Sequence, residues 1–414
     1  MAVQVVSTMG ATYIHNVKKL LDVAKFKMPL KQFAQVKTIP LHSGHQAKFT
    51  RMMHLAPVTS ALTEGTPVAY ASLVAPYAQE ITATVAPWGN SIGVSDMLND
   101  TFINPAVNET LEILGINAGE SMNLEHQKTA CAPTTADDVS GSIAYVYDAS
   151  QLATNNLRGT ATSAGSTTSL VDTARTETAD LIKGGYIAFT NPQERNYGLS
   201  RKILAFDATS DIVWWTTAVN VATGTSTTYR IGHFGHATAY TLTAGTDVLC
   251  MAAINNGVTI LNMENAMTFN DGYYRMTCDP YGEAALRNDT DAVIGYTAVH
   301  KYIDQGNLLD GEIGRAGGVR MVKETKPYRI ATGAGFPYSA TGGAFVSTLL
   351  GRNALGICGL TGQTDTQYKI KHPGPTTTSD PNDMVHTASW KTNFGRLALN
   401  SCHALSIITA PTQV

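Results

Sequence analysis

The chain has 414 residues, 43% of them hydrophobic and only 15% charged, with a formal net charge of −3. That balance excludes non-specific DNA binding driven by bulk electrostatic attraction, and the lack of a run of about 18 apolar residues excludes a transmembrane helix. The length can bury a sizeable core in roughly two to three structural units.

The first stretch, residues 1–36, has apolar residues at helical spacing from Tyr13 to Leu21 and reads as a helix flanked by an arm. Its start, Met1-Ala2-Val3-Gln4, lacks a basic n-region followed by an apolar core, so no secretory leader is expected. Residues 37–97 read as an extended hairpin. A turn at His42-Ser43-Gly44-His45 precedes the strand Gln46 to Met52. A second turn, Leu62 to Pro67, is marked by Gly65 and Pro67, and Glu80 to Val85 alternates polar and apolar. These strands lack the hydrophobic mass for a core of their own, which points to a hairpin projecting from its domain.

The clearest helix spans 104–132. Asn104 suits the N-cap and Pro105 the first helical position, where a missing N–H costs nothing. Val107, Leu111, Leu114 and Ala118 form one apolar stripe, and Pro133 closes the run. At about 1.5 Å per residue this helix spans about 40 Å and suits a structural spine.

Between 158 and 232 the composition turns Gly/Ser/Thr-rich, with short strands expected at 186–190, 201–206, 212–215 and 227–231. Short, evenly spaced strands point to a small all-β barrel or sandwich inserted into a host domain. Beyond it the chain reads as mixed α/β. Asp271 to Cys278 is a strand after a turn, Pro280 to Asn288 a short helix, and Gly311 to Val322 a Gly-rich turn into a strand.

Candidate chemistry is sparse. His233-x-x-His236 has no third ligand at recognisable spacing, and a catalytic zinc needs three. The glycines at 314–318, 333–335 and 342–343 do not complete a phosphate-cradling fingerprint. Gly89-Asn90-Ser91-Ile92-Gly93 spells the nucleophile elbow. However, Pro87-Trp88 separates it from a strand that is half polar, and a Gly-flanked turn accounts for it. Asp96 and Asp100 stand near the start of the spine helix, where its partial positive charge favours carboxylates. Trp214-Trp215 reads as one core ring and one exposed ring, with sugar stacking as the alternative. No catalytic, cofactor-binding or metal site is expected. The five cysteines (Cys131, Cys250, Cys278, Cys358, Cys402) form no CxxC and read as reduced, mostly buried residues.

A charge fraction of 15% lies below the about 25% of a typical soluble domain, and polarity comes instead from Ser, Asn, Gly and 53 Thr. Such a surface suits a protein that covers much of itself with copies of itself.

Several segments, in order, resemble the N-four-type tailed-bacteriophage major capsid family. Leu55-Ala56-Pro57-Val58-Thr59 through Leu62-Thr63-Glu64-Gly65-Thr66-Pro67 is similar to that family's hairpin stretch, with Pro67 one place early. Trp88-Gly89 through Ser95-Asp96 is similar to its next segment, with Trp88 replacing the usual Tyr. Asp271-Gly272-Tyr273-Tyr274 through Asp279-Pro280 follows, with Cys278 where His is usual. Then come Gly311 to Arg320, Leu350 to Ala354, Pro373-Gly374-Pro375 through Ser379-Asp380-Pro381, and Trp390-Lys391. The matches cover about 40–132 and 265–405; the stretch 158–232 lies outside them.

The resemblance implies an α+β phage major capsid fold (the Hong Kong 97 fold), divided as follows. Residues 1–36 are an N-terminal arm, 37–97 an extended loop, and 98–157 the spine helix and first part of a peripheral domain. Residues 158–232 are an inserted all-β domain, and 233–414 the axial domain and the rest of the peripheral domain. It implies a subunit that self-assembles as hexamers and pentamers into an icosahedral head. That head encloses double-stranded DNA without sequence-specific binding, contacts no membrane, and is synthesised in the host cytoplasm for the virion. Scaffolding, portal and cement proteins are its candidate partners. Lys48, Arg51, Glu64 and Asp96 are the candidate inter-subunit contacts. The competing readings are a glycan-binding or tail-fibre virion protein, which calls for repeats or a paired-carboxylate groove, and a cytosolic enzyme built around Ser91.

Overall fold

The computed structural model describes residues 28–52, 59–67, 78–101, 106–131, 143–146, 157–175, 182–183, 185–232, 248–289, 297–298, 309, 311–330, 344–361, 366–371 and 384–410. The expected helix at Tyr13–Leu21, Asn104, Pro105, Pro133, His233, His236 and the glycines at 333–335 and 342–343 lie outside them.

In chain order, a 3-10 turn at Pro29–Phe33 leads to β1 (Gln35–Ile39), β2 (Gln46–Met52), β3 (Ala78–Thr84) and β4 (Ala86–Ser95). Helices α1 (Asp96–Thr101) and α2 (Ala106–Cys131) follow, then β5 (Ile143–Val146). A run of short strands comes next: β6 (Leu157–Thr160), β7 (Ser169–Val171), β8 (Tyr186–Phe189), β9 (Ser200–Asp207), β10 (Ile212–Trp215) and β11 (Thr228–Gly232). Then come α3 (Met251–Met263), β12 (Tyr274–Cys278), α4 (Pro280–Asn288), β13 (Thr297–Ala298), β14 (Glu312–Ala316), β15 (Val319–Lys323) and β16 (Arg329–Ile330). The chain continues through β17 (Ala344–Leu350), β18 (Leu355–Leu360), β19 (Gln367–Lys371), β20 (Val385–Ala398) and β21 (Ala404–Thr409).

The spine helix α2 has 26 residues, a length of about 39 Å. Leu111, Leu114 and Ala118 are buried, as their spacing requires, and Met122 continues the stripe. They pack on Tyr368, Ala388, Trp390 and Phe394 of a five-stranded sheet ordered β1-β18-β20-β19, with β4 also paired to β20. The 14-residue β20 is the centre of that sheet. It pairs with β4 from Val385 to Phe394, with β19 from Thr387 to Lys391 and with β18 from Phe394 to Ala398.

A second sheet runs β13-β14-β15-β12-β17-β21-β5, with β16 on β17. Helix α3 covers it. Gly257 comes so close to Leu349, Ile407 and Leu405 that an added Cβ would sit 3.0–3.3 Å from their methyls. Helix α4 begins at Pro280, as its sequence requires, and the Asp279 carboxylate accepts from the backbone N–H groups of Tyr281 and Gly282.

Strands β6 to β11 pair only with one another among the described residues, in the order β6-β11-β8-β9-β10-β7, all antiparallel. Thr162 N–H donates to the Val171 carbonyl (3.0 Å) and Ser163 bridges the same residue, so the chain leaving β6 meets the last strand and closes the sheet. Leu170, Ile187, Phe189, Ile203, Phe206, Val213, Trp215 and Ile231 fill the interior.

Candidate assembly surfaces

Strands β2 and β3 form a ladder from Gln46↔Thr84 to Met52↔Ala78. Among the described residues only this two-stranded ladder stands apart from the larger sheets; β1 and β4, included in the expected loop 37–97, belong to the five-stranded sheet. Ala47, Phe49 and Ala83 face inward and pack with Ile39, Cys358, Leu397 and Leu399. The base of the hairpin has no core of its own and is anchored on its own chain through residues of β1, β18 and the end of β20, so it does not project along its whole length as expected. The turn beyond it keeps the projecting character: every residue from 59 to 67 is exposed, Leu62 to 72%. Gly65 has a φ of +78°, and Thr66 N–H donates to the Thr63 carbonyl at 3.2 Å.

The four candidate contact residues fall in different settings. Glu64 stands exposed in that turn. Lys48 is exposed on the outer face of β2 and forms an ion pair with Glu80 at 2.7 Å, which raises the lysine pKa through the hydrogen bond and the carboxylate charge. Arg51 points the other way. Its guanidinium donates to the carbonyls of Leu399 (3.1 Å) and Tyr197 and lies over the Tyr197 ring at 5.4 Å. Burial lowers its pKa. Its contacts lie within the chain, which sequence spacing did not signal. Asp96 opens α1, a short helix separate from the spine, and accepts from Met97 N–H at 2.6 Å; Ser95 Oγ accepts from Leu98 N–H. The structure does not bring the four together.

Exposed apolar side chains gather around α1. Asp96 N–H donates to the Met384 carbonyl and Ser95 pairs with Val385, which sets Met97 (73% exposed) and Leu98 beside the exposed Met384 and Val385. On the spine, Ile113 and Leu124 are also exposed. Exposed large apolar groups close together mark contact surfaces more often than scattered ones do.

A cleft of about 620 Å³ opens where the hairpin, the β6–β11 unit and the five-stranded sheet meet. Its walls include Val36, Lys37, Phe49, Arg51, Met267 and His403. His403 Nδ1 faces the Arg352 carbonyl at 3.1 Å.

The β6–β11 unit is bound to the rest of the chain by polar contacts. Ser200 and Ser401 share a hydroxyl hydrogen bond of 2.9 Å, Cys402 Sγ lies 3.3 Å from the Phe189 carbonyl, and Arg158 pairs with the buried Glu264. Burial and the Glu264 charge push the Cys402 thiol up to about 12.

The sequence motifs with chemical readings resolve as backbone features. Ser91 sits within β4, paired with Ser389, so the segment is a continuous strand and not the expected Gly-flanked turn. Gly89 is required there because an added Cβ would lie 2.6 Å from the Trp390 carbonyl. Gly317 and Gly318, both at positive φ, turn β14 into β15. Trp215 is buried against Phe189 and donates to the Thr167 carbonyl, while Trp214 is half-buried. Among the described residues no helix is long and apolar enough to cross a membrane.

No protein-family model matches the sequence, and no curated protein matches it. Among solved structures the chain is similar to the capsid of Ralstonia phage GP4, with a TM-score of 0.52 and 13% identity over 92% of this chain and 88% of that one. It is also similar to the capsid of the cyanophage P-SCSP1u (TM-score 0.46, 12% identity, 93% and 88% covered). A third similar structure is the capsid asymmetric unit of cyanophage Pam1 (TM-score 0.46, 10% identity, 94% and 93% covered). The likeness to the GP4 capsid shows a phage-capsid fold for this α+β chain.

Proposed function

We propose that this chain is the major coat subunit of a tailed-phage head, and that its work is structural. The observation that carries the reading is the likeness in fold to the GP4 capsid, which runs through 92% of this chain. The surface supports it: an exposed hairpin turn carrying Leu62, and the apolar group Met97, Leu98, Met384 and Val385, gain burial only against another molecule. One patch repeated head to tail around a closed ring makes a capsomer, and many weak contacts hold a shell together. The formal charge of −3 fits a lining that encloses DNA without gripping it.

On this reading the virion is where the protein acts, and copies of itself are its first partners; portal, scaffolding and cement proteins are further ones. Residues 158–232 form an inserted β-domain, supported by the self-contained pairing of β6–β11. Lys48, Glu64 and Asp96 are proposed contacts between subunits, since Lys48 and Glu64 are exposed and the half-buried Asp96 opens the short helix that carries the exposed Met97 and Leu98. Arg51 ties the hairpin base to its own chain, holding the turn in place for a neighbour.

The test is assembly of the purified chain, followed by sedimentation and negative-stain microscopy. Closed shells of megadalton mass support the reading; a small oligomer of fixed size under all conditions rejects it.

A further inference from the structure

Between Met52 and Gln79 the sequence carries one acidic residue and no lysine or arginine, and that residue is Glu64. It stands in the exposed turn, two positions after the exposed Leu62. The cleft of about 620 Å³ has the complementary character. Lys37 and Arg51 line it together with His403, and among the described residues no aspartate or glutamate does. Val36 and Met267, at 50% and 53% exposure, form an apolar rim, with Phe49, Ile81 and Leu399 further along the wall. Strand β1, which supplies Val36 and Lys37, is the edge strand of its sheet.

The turn therefore pairs one exposed aliphatic side chain with one carboxylate, and the cleft pairs an apolar rim with cationic walls. Glu64 is not among the residues lining the cleft of its own chain. From this complementarity we infer that the cleft receives the hairpin turn of a second copy, with Leu62 on the Val36–Met267 rim and the Glu64 carboxylate toward Lys37. This rests on the coat-subunit reading and adds the receptor that the reading leaves unnamed. A second polar hollow, between α2 and residues 324–327, is less suited to a carboxylate, because Glu120 and Glu324 line it beside Lys326. A cleft lined by one sign of charge raises the local concentration of the opposite charge, so the contact also guides encounter.

Charge reversal tests it in the full-length chain, with shell yield measured by sedimentation. Glu64→Lys and Lys37→Glu should each lower yield about tenfold or more, since like charges brought together in a contact oppose association. The double variant should recover most of the yield. Co-expressing the two single variants should recover part of it, because in an alternating six-membered ring each turn then meets an opposite charge on its neighbour, while a five-membered ring keeps one like-charged pair. Should Lys37→Glu fail to fold, Met267→Asp, an exposed rim change, carries the test instead: it should lower yield by taking the apolar seat from Leu62, and Leu62→Lys should rescue it. Recovery in the double variant but not in the mixture would mean that the turn occupies the cleft of its own chain, and would overturn the second copy as occupant. Wild-type yield from both single variants would overturn the cleft while leaving the coat reading intact. No shells from the unmodified chain would overturn both.

Discussion

Arg51 of the hairpin and Tyr197 of the β6–β11 unit are joined twice: the guanidinium donates to the Tyr197 carbonyl and lies over its ring at 5.4 Å. The same guanidinium reaches the Leu399 carbonyl, so one side chain ties together the hairpin, the closed β-unit and the end of β20. Burial also pushes the Tyr197 phenol up to about 12, so this junction stays uncharged on the tyrosine side at neutral pH.

Arg51→Ala should destabilise the subunit by about 2–3 kcal/mol, from the lost charged hydrogen bonds and stem packing. Arg51→Lys should recover little, because a single ammonium cannot span two carbonyls as the planar fork does. Thermal unfolding of the soluble subunit measures both. Equal stability of the lysine variant and the parent would contradict the forked geometry.

Gly395 should not tolerate a methyl group. A Cβ there would stand 2.3 Å from the Thr84 carbonyl and 2.8 Å from Cys358 Sγ, where β3 crosses β20. Gly395→Ala is expected to cost about 1–3 kcal/mol or to abolish soluble expression. Gly224→Ala, with open space around it, is the matched control and should be neutral.

Stability should fall in acid through His126. Its ring lies buried against Phe394 at 5.3 Å, and burial together with the charges of Arg396 and Lys31 lowers its pKa to about 3. Unfolded, the imidazole takes up its proton near 6.5, so between about 6.5 and 3 the unfolded chain binds one proton more than the folded chain. The stabilisation is complete above that window and lessens as pH drops through it, by at most about 1.4 kcal/mol per unit. His126→Leu removes this contribution. The difference in unfolding midpoint between parent and variant should therefore shift with pH in that window and hold constant above pH 7. A constant difference throughout would mean the ring titrates normally.

Deleting 158–232 should not leave a sound subunit. The cut strips Arg158 from the buried Glu264, Ser200 from Ser401 and the Phe189 carbonyl from Cys402. An unpaired buried carboxylate alone costs about 3–5 kcal/mol. Insoluble or partly unfolded product is expected by circular dichroism; a soluble product with unchanged melting would show that the unit is independent of its host.

The sequence was most readable where local pattern and burial agree. Alternation marks β2 and β3, and the stripe Leu111–Leu114–Ala118 marks α2. Asp279-Pro280 marks the start of α4, because cap and first-turn chemistry are local. Helix α3 was hidden by Asn255-Asn256-Gly257, which reads as a turn; tertiary packing of Gly257 onto Leu349 and Ile407 overrides that preference. Strand β20 was also unread, since a central strand carrying Ser389, Lys391 and Thr392 shows no clean alternation. Its order comes from three partner strands far away in sequence. Of the candidate contacts, exposure at Glu64 follows from its turn signals. The inward course of Arg51 depends on Tyr197 and Leu399, 146 and 348 residues away, which no local pattern encodes.

Particle mass tests the central claim most directly. Analytical ultracentrifugation of the purified chain, across salt and pH and with grids of the same samples, should show closed shells of many copies. Material that sediments as a monomer at every concentration and condition tried would contradict it.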